Sequence, residues 1–403
     1  VGDYAVGAVG TANSYIGIFI IMFSIISSGM VSVMTQNIGA GRPGVAYQAR
    51  QLGLLFNAVA GVLMAVFLFS GAGAILRMVG IADALYEPAL IYLKIVGGGC
   101  ILNAVIPIFS SYLRAFGYTK QPLYATIVGN IANFVMNAVF LFVLHKGVAG
   151  VAAATVISKI LNLCIVLYFS HKLISAKNST ERIANKTVLG QIVKVGLPSA
   201  CETALYNVAM MLVIRFLNQM DAEGLNVTAR SYTATISNFS YCVGAALAQA
   251  NAIMTGWHIG AGELEECDRG TKRAAFVGVC VAVCMETAIV LGSGFIMPLF
   301  TDNPEMTALV RKLLAIDIVL EIGRVTNLVF GQALKTSGDA VFPAVIAAVF
   351  MFVFAVGGTW LFGISMGLMA VGAYIGLASD ECVRAVGMVW RWKTGKWRTK
   401  KLV

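Results

Sequence analysis

The chain has 403 residues, of which 59% are hydrophobic and only 12% charged, whereas soluble domains carry roughly 25% charged residues. That imbalance excludes an ordinary soluble domain, a secreted disulfide scaffold, a nucleic-acid reader and a disordered chain, and it leaves a net charge of +10 to be explained by topology. Apolar blocks of about 20 residues, enough to cross roughly 30 Å of hydrocarbon at 1.5 Å per residue, indicate an all-α polytopic membrane protein.

In chain order, the blocks between charged or Gly/Pro punctuation predict eleven spans, near 13–37, 50–74, 89–113, 122–144, 148–170, 197–217, 228–254, 274–299, 308–333, 341–362 and 367–390. The long polar connection at 171–194, with Lys172, Lys177, Arg182, Lys186 and Lys194, divides them five to six. This gives an N-terminal bundle (1–170), a cytoplasmic linker (171–194), a C-terminal bundle (195–390) and a basic cytoplasmic tail (391–403). Short basic loops stay cytoplasmic. One set of alternate loops, with the tail, holds nineteen Lys and Arg residues; the other holds only Arg77, Lys146, Arg311 and Lys312. The C-terminus is therefore expected inside, with Trp390, Trp392 and Trp397 as interfacial anchors.

Eight scattered cysteines form no CxxC pair and read as reduced core residues. Cys280 and Cys284 sit one turn apart without further ligands, and the three histidines form no catalytic set. Neither HExxH, GxSxG with partners, nor a paired aspartate motif is present, so the expectation is a non-enzyme with no cofactor.

Ile38-Gly39-Ala40-Gly41 recurs 221 residues later as Ile259-Gly260-Ala261-Gly262. The same spacing relates Gly71 to Gly292, Gly73 to Gly294, Gly117 to Gly338 and Pro122 to Pro343. Shared Gly and Pro positions mark shared turns and kinks, so the expectation is two pseudo-symmetric helical bundles. The span at 197–217 maps to positions before residue 1. This implies six helices per bundle in a full protein, with the first apparently missing here; a natural eleven-helix chain is the alternative.

Ionisable groups inside hydrocarbon cost roughly 2.5–3.5 kcal/mol at a helix centre, which makes them functional candidates. The first 170 residues hold only Asp3, Asp83 and Glu87, all near an end or loop, while the second half places Glu202, Glu286, Asp317, Glu321, Asp380 and Glu381 within spans. Asp317, Glu321 and Arg324 share one helical face; Asp380, Glu381 and Arg384 share another. A poorly solvated carboxylate can exchange a proton, or hold a sodium ion with neighbouring carbonyl and amide oxygens. The ion-coupling candidates are Glu321, Asp317, Glu202 and Asp380. Structural pairing is the alternative for each, with Arg324, Glu381 and Arg384 as ion-pair partners. In the first half, Asn130, Asn133 and Asn137 form an amide stripe, with Asn103 and Lys159 on neighbouring spans. These residues either line a substrate cavity or glue helices together.

The motifs Gln36-Asn37-Ile38-Gly39-Ala40-Gly41, Leu113-Arg114-Ala115-Phe116-Gly117-Tyr118, Gly147-Val148-Ala149-Gly150, Gly196-Leu197-Pro198-Ser199, Glu321-x-x-Arg324-x-x-Asn327 and Lys335-x-x-Gly338-Asp339 resemble the multidrug and toxic compound extrusion (MATE) transporters, in a bacterial NorM-like subgroup. The resemblance implies two six-helix lobes around a central cavity and export of organic, often cationic, compounds in exchange for inward H⁺ or Na⁺. It adds Asn327 as an ion-coupling candidate, because counting back from Lys335 places the family's tenth-helix aspartate near Thr326 or Asn327. Small organic molecules and the bilayer are the expected partners, with no nucleic acid and a monomeric protein. A lipid-linked oligosaccharide flippase of the same superfamily is the alternative.

Overall fold

A computed structural model of the chain describes residues 3–78, 83–174, 181–221 and 224–403. Parts of the expected linker, residues 175–180, lie outside them, and no strand occurs among the described residues. Twelve helices follow in order: α1 (Asp3–Gly39), α2 (Pro43–Met78), α3 (Asp83–Gly98), α4 (Cys100–Ala115), α5 (Lys120–Ala138), α6 (Gly147–Leu173), α7 (Asn185–Met220), α8 (Leu225–Ala261), α9 (Leu264–Ile296), α10 (Pro304–Ser337), α11 (Val341–Phe350) and α12 (Met369–Lys393). Wide π turns extend α5 at Val139–Val143 and α11 at Met351–Val356 and Thr359–Ser365.

The helix ends follow local chemistry. Asn303 caps α10, its side chain accepting from the backbone of Glu305 at 2.8 Å, with Pro304 at the first helical position. Asp221 accepts from the backbone N–H groups of Leu225 and Asn226, both at 3.0 Å, as α8 begins. Partial burial alone would push the Asp221 carboxyl up, but these bonds and those from the Asn226 side chain and Gly224 hold it below the usual carboxylate range. The duplicated glycines act alike: Gly41 and Gly262 take φ of 74° and 81°, and Gly117 and Gly338 take 84° and 97°. In each pair, a helix stops at the same point of the repeat, in a left-handed conformation that favours glycine.

Six helical stretches are long and apolar enough to cross a membrane: α2, α5 with its π turn, α6, α7, α9 with a short 3₁₀ extension, and α11 with its π turns. α3 and α4 together make a seventh if their 41° bend is one broken span. The expectation of eleven spans is thus corrected to six or seven among the described residues. Helix runs through the other stretches as well, but α8 is rich in Ser, Thr and Asn, and α10 and α12 carry clustered charges, so they lack the apolarity of a span facing lipid. Large apolar side chains such as Phe134, Phe142, Phe276, Leu291 and Phe295 are exposed. In water such a surface would be a liability; against lipid tails it is the required one. Two further expectations change for the same reason. Cys164, Cys201, Cys242, Cys280 and Cys284 are exposed rather than core residues, and all eight cysteines are free. Trp392 and Trp397 are buried and stacked at 4.2 Å, leaving only Trp390 in an anchor-like, exposed position.

The chain divides into two compact units, Val1–Leu197 and Pro198–Val403. In the first, α2 packs on α1, α3 and α4, and α5 packs on α6. Buried Asn57 on α2 donates to the carbonyls of Phe23 at 3.3 Å and Ala104 at 3.1 Å, tying three helices. Gln48 donates to the carbonyl of Ile183 at 2.7 Å and accepts from its N–H at 3.2 Å, fixing the segment before α7. In the second unit, α10 is the hub, contacting α8, α9 and α12. Gly323 makes the α10–α12 contact possible, because a Cβ there would lie 2.7 Å from the Cys382 backbone nitrogen and 2.8 Å from the Glu381 carbonyl carbon. Gly323→Val is expected to lower stability by about 1–3 kcal/mol through overpacking. Gly294→Ala, at a position with open space around it, should leave stability unchanged; thermal melting of detergent-purified variants checks both.

Candidate functional site

The second unit contains a cavity of about 340 Å³ lined by residues of α7, α8, α10 and α12. Its apolar part includes Met210, Leu320 and Leu377, and Tyr206, Tyr241 and Tyr374 give it an aromatic wall. Its charged part comprises Asp317 and Arg324 from α10, Asp380 and Glu381 from α12, and Arg230 from α8.

The ion pairs behind this wall form a chain. Arg324 bonds Glu321 on its own helix and reaches across to Glu381 at 3.6 Å. Glu381 then pairs with Arg384 at 2.9 Å, and Arg384 forks onto Asp380 at 2.8 Å. Asn327 completes the set, donating to Glu381 at 3.0 Å. Arg324 also lies 5.7 Å from the Tyr241 ring centroid, within cation–π range. The i,i+3 and i,i+4 spacings hold each half of the network on one helical face, and the Gly323 approach brings the two halves together.

Glu321, Asp317, Asp380, Asn327, Arg324, Glu381 and Arg384 therefore converge, and all but Arg324 are buried. Glu202 is only peripheral. It forms an ion pair with Lys335 at 2.8 Å and does not line the cavity. The first-unit candidates bond among α4, α5 and α6: Lys159 donates to Asn103 at 2.6 Å, Asn137 to Asn133 at 3.0 Å, and Asn133 to Ser158 at 3.4 Å. Asn130 is exposed. The Asn133–Ser158 bond joins α5 to α6 and so supports the gluing role for Asn133, whereas the Asn137 bond stays within α5.

Sequence reasoning missed Arg230 and left the direction of Glu286 open. Arg230 has no carboxylate within ion-pair distance among the described residues, its recorded contact being the Met210 sulfur at 3.7 Å. A lone cation in a Ser/Thr-rich span was the signal for it. Glu286 on α9 is fully buried; its depth in the span was legible, its direction was not. Five carboxylates thus stand in or beside the cavity against Arg230, Arg324 and Arg384. Among the described residues, no group of three His, Cys, Asp or Glu side chains has metal-holding geometry.

A helical body with an outer apolar surface and an inner cavity rich in ionisable groups is that of a membrane transporter. The family model described as MatE matches residues 1–139 and 198–361. A Bacillus subtilis (strain 168) protein named "Uncharacterized transporter YisQ" is 31% identical over 99% of this chain and 88% of its own length. The chain belongs to the MatE family of multi-pass membrane transporters. A Thermotoga maritima "Probable multidrug resistance protein NorM" is 19% identical over 99% of this chain and 87% of its own. Among solved structures, a MATE protein in its straight conformation superposes with a TM-score of 0.87 at 21% identity, over 99% of this chain and 90% of that one. A MOP superfamily transporter from Pyrococcus furiosus, described as having a binding pocket of reverse polarity, gives 0.86 at 19%, over 99% and 90%.

Arg384 serves two buried acids and is the ion-pair partner of Asp380. Arg384→Met should cost about 3–5 kcal/mol by stranding Asp380, while Glu381 keeps Arg324 and Asn327. Adding Asp380→Asn should regain part of that loss. Thermal melting of both variants against the native protein is the measurement.

Proposed function

We propose that the protein is a secondary antiporter of the bacterial plasma membrane, acting as a monomer with its C-terminus inside. It exports organic, often cationic, compounds in exchange for inward H⁺ or Na⁺. The observation that carries this reading is the excess of carboxylates over arginines at a buried, partly aromatic cavity. An organic cation fits there by neutralising the excess and stacking on Tyr206, Tyr241 or Tyr374, and a proton or sodium ion neutralises the same charge. The two occupants compete, so binding of one favours release of the other. An ion that prefers one conformation shifts the population toward it, and exchange follows from that differential affinity. A lipid-linked oligosaccharide flippase would call for a cationic cavity, and the acid excess argues against it.

The test is uptake of a cationic dye into proteoliposomes under an imposed pH gradient and, separately, an imposed sodium gradient. Dependence on one of them names the coupling ion, and Glu321→Gln should then reduce uptake at least about tenfold, since removing a charge that changes occupancy during the cycle removes its coupling energy. Uptake indifferent to both gradients would refute antiport.

Arg230 sets a second expectation. Unpaired on the cavity wall, it can receive a carboxylate on the substrate. Arg230→Gln should therefore slow export of a zwitterionic dye more than that of a purely cationic one. Equal effects on the two dyes would remove Arg230 from substrate choice.

A further inference from the structure

Glu286 stands on α9, and neither it nor Glu321 lines the cavity. It is fully buried and has no ion-pair partner among the described residues. The groups that face it come from both neighbouring helices: Asp317, Glu321 and Arg324 from α10, and the Ser240 hydroxyl from α8. Arg324 is committed to Glu321 and Glu381. Arg311, another α10 cation on the α9 contact, is occupied by Ser293 at 2.9 Å. Of the acids beside it, Asp317 and Glu321 each leave one oxygen buried without a partner. Two helices thus turn carboxylates toward one region, and among the described residues no three such groups have the geometry of a metal cage. A proton needs no cage, because a single oxygen holds it. A carboxylate in a low-dielectric interior with no counter-charge of its own is accommodated when it carries one.

We propose that Glu286 is an inner proton-binding site of the exporter, loaded and emptied through Asp317 on the cavity wall and Glu321 beside it. The inference rests on the export reading above. In the transfer, the O–H bond of protonated Glu321 breaks, its electron pair stays on the Glu321 oxygen, and a new O–H bond forms on Glu286; nothing is oxidised or reduced. Glu321 suits the step because Arg324 holds one of its oxygens and leaves the other unpartnered. The lobe then has proton sites at two depths. The substrate competes directly with the outer one, while the inner one keeps the space behind the wall neutral.

The test uses the full chain in lipid nanodiscs and infrared difference spectra between acid and alkaline buffer. A buried carboxylic-acid carbonyl band is expected in the native protein, lost in Glu286→Gln and shifted in Glu286→Asp. A band unchanged in both variants overturns the proposal, and if Glu286→Gln does not fold, an unshifted band in Glu286→Asp does so alone. In heavy water, the isotope shift of this band should develop about tenfold more slowly in Glu321→Gln than in the native protein; equal rates overturn the route through Glu321. Tetraphenylphosphonium binding to the native protein, measured on the same sample, reports separately on the export reading. Its absence would sink that reading and leave the Glu286 band as an independent result.

Discussion

The second unit depends on the close approach of α10 and α12 at Gly323. Charges inside a membrane protein are tolerable only when they meet partners, and side chains bring partners together only when the backbones are near. With no Cβ at Gly323, the backbone of α12 sits almost against α10. Arg324, the next residue, is thereby brought to Glu381, which pairs with Arg384 one turn along its own helix. A cavity wall with acids on two helices follows from that contact. So does the excess of carboxylates over arginines at that wall.

The parts of the site that could be read from sequence were those governed by helical spacing. Asp317, Glu321 and Arg324 share a face at any orientation of α10, as do Asp380, Glu381 and Arg384 on α12. Spacing says nothing about where a face points when lipid and protein interior are equally apolar. That explains why Glu286 could be placed in depth but not in direction, why five cysteines assigned to the core look outward, and why Trp392 and Trp397 pack on each other. The span count failed on a related point. Helices that line a polar interior carry Ser, Asn, Asp and Arg, so α8, α10 and α12 fall short of the apolarity expected of a membrane-crossing segment.

The repeat shows which features of a duplicated chain are held and which drift. Gly41 with Gly262, and Gly117 with Gly338, keep the same left-handed turn. The positions equivalent to Asp317, Glu321 and Arg324 are Val96, Cys100 and Asn103, and Val96 and Cys100 are buried in an apolar cluster. Turn geometry has been kept in both halves, while the ionisable chemistry resides in one of them. The first unit uses neutral amides instead: Asn133 bonds Ser158 from α5 to α6, and Asn137 bonds Asn133 within α5.

The two π turns that extend α11 carry a mechanical implication. A π turn spends more residues per revolution than an α turn, whose residues are about 100° apart. Tightening either turn into α geometry would rotate everything beyond it by about that angle per residue taken up. The segment that would rotate lies against α12, where a Cβ on Gly376 would sit 2.9 Å from the Thr359 nitrogen. α12 is also the helix that presents Asp380 and Glu381 to the cavity. The slack in α11 is thus a stored quantum of screw motion, geared to the helix that carries half of the cavity's acids.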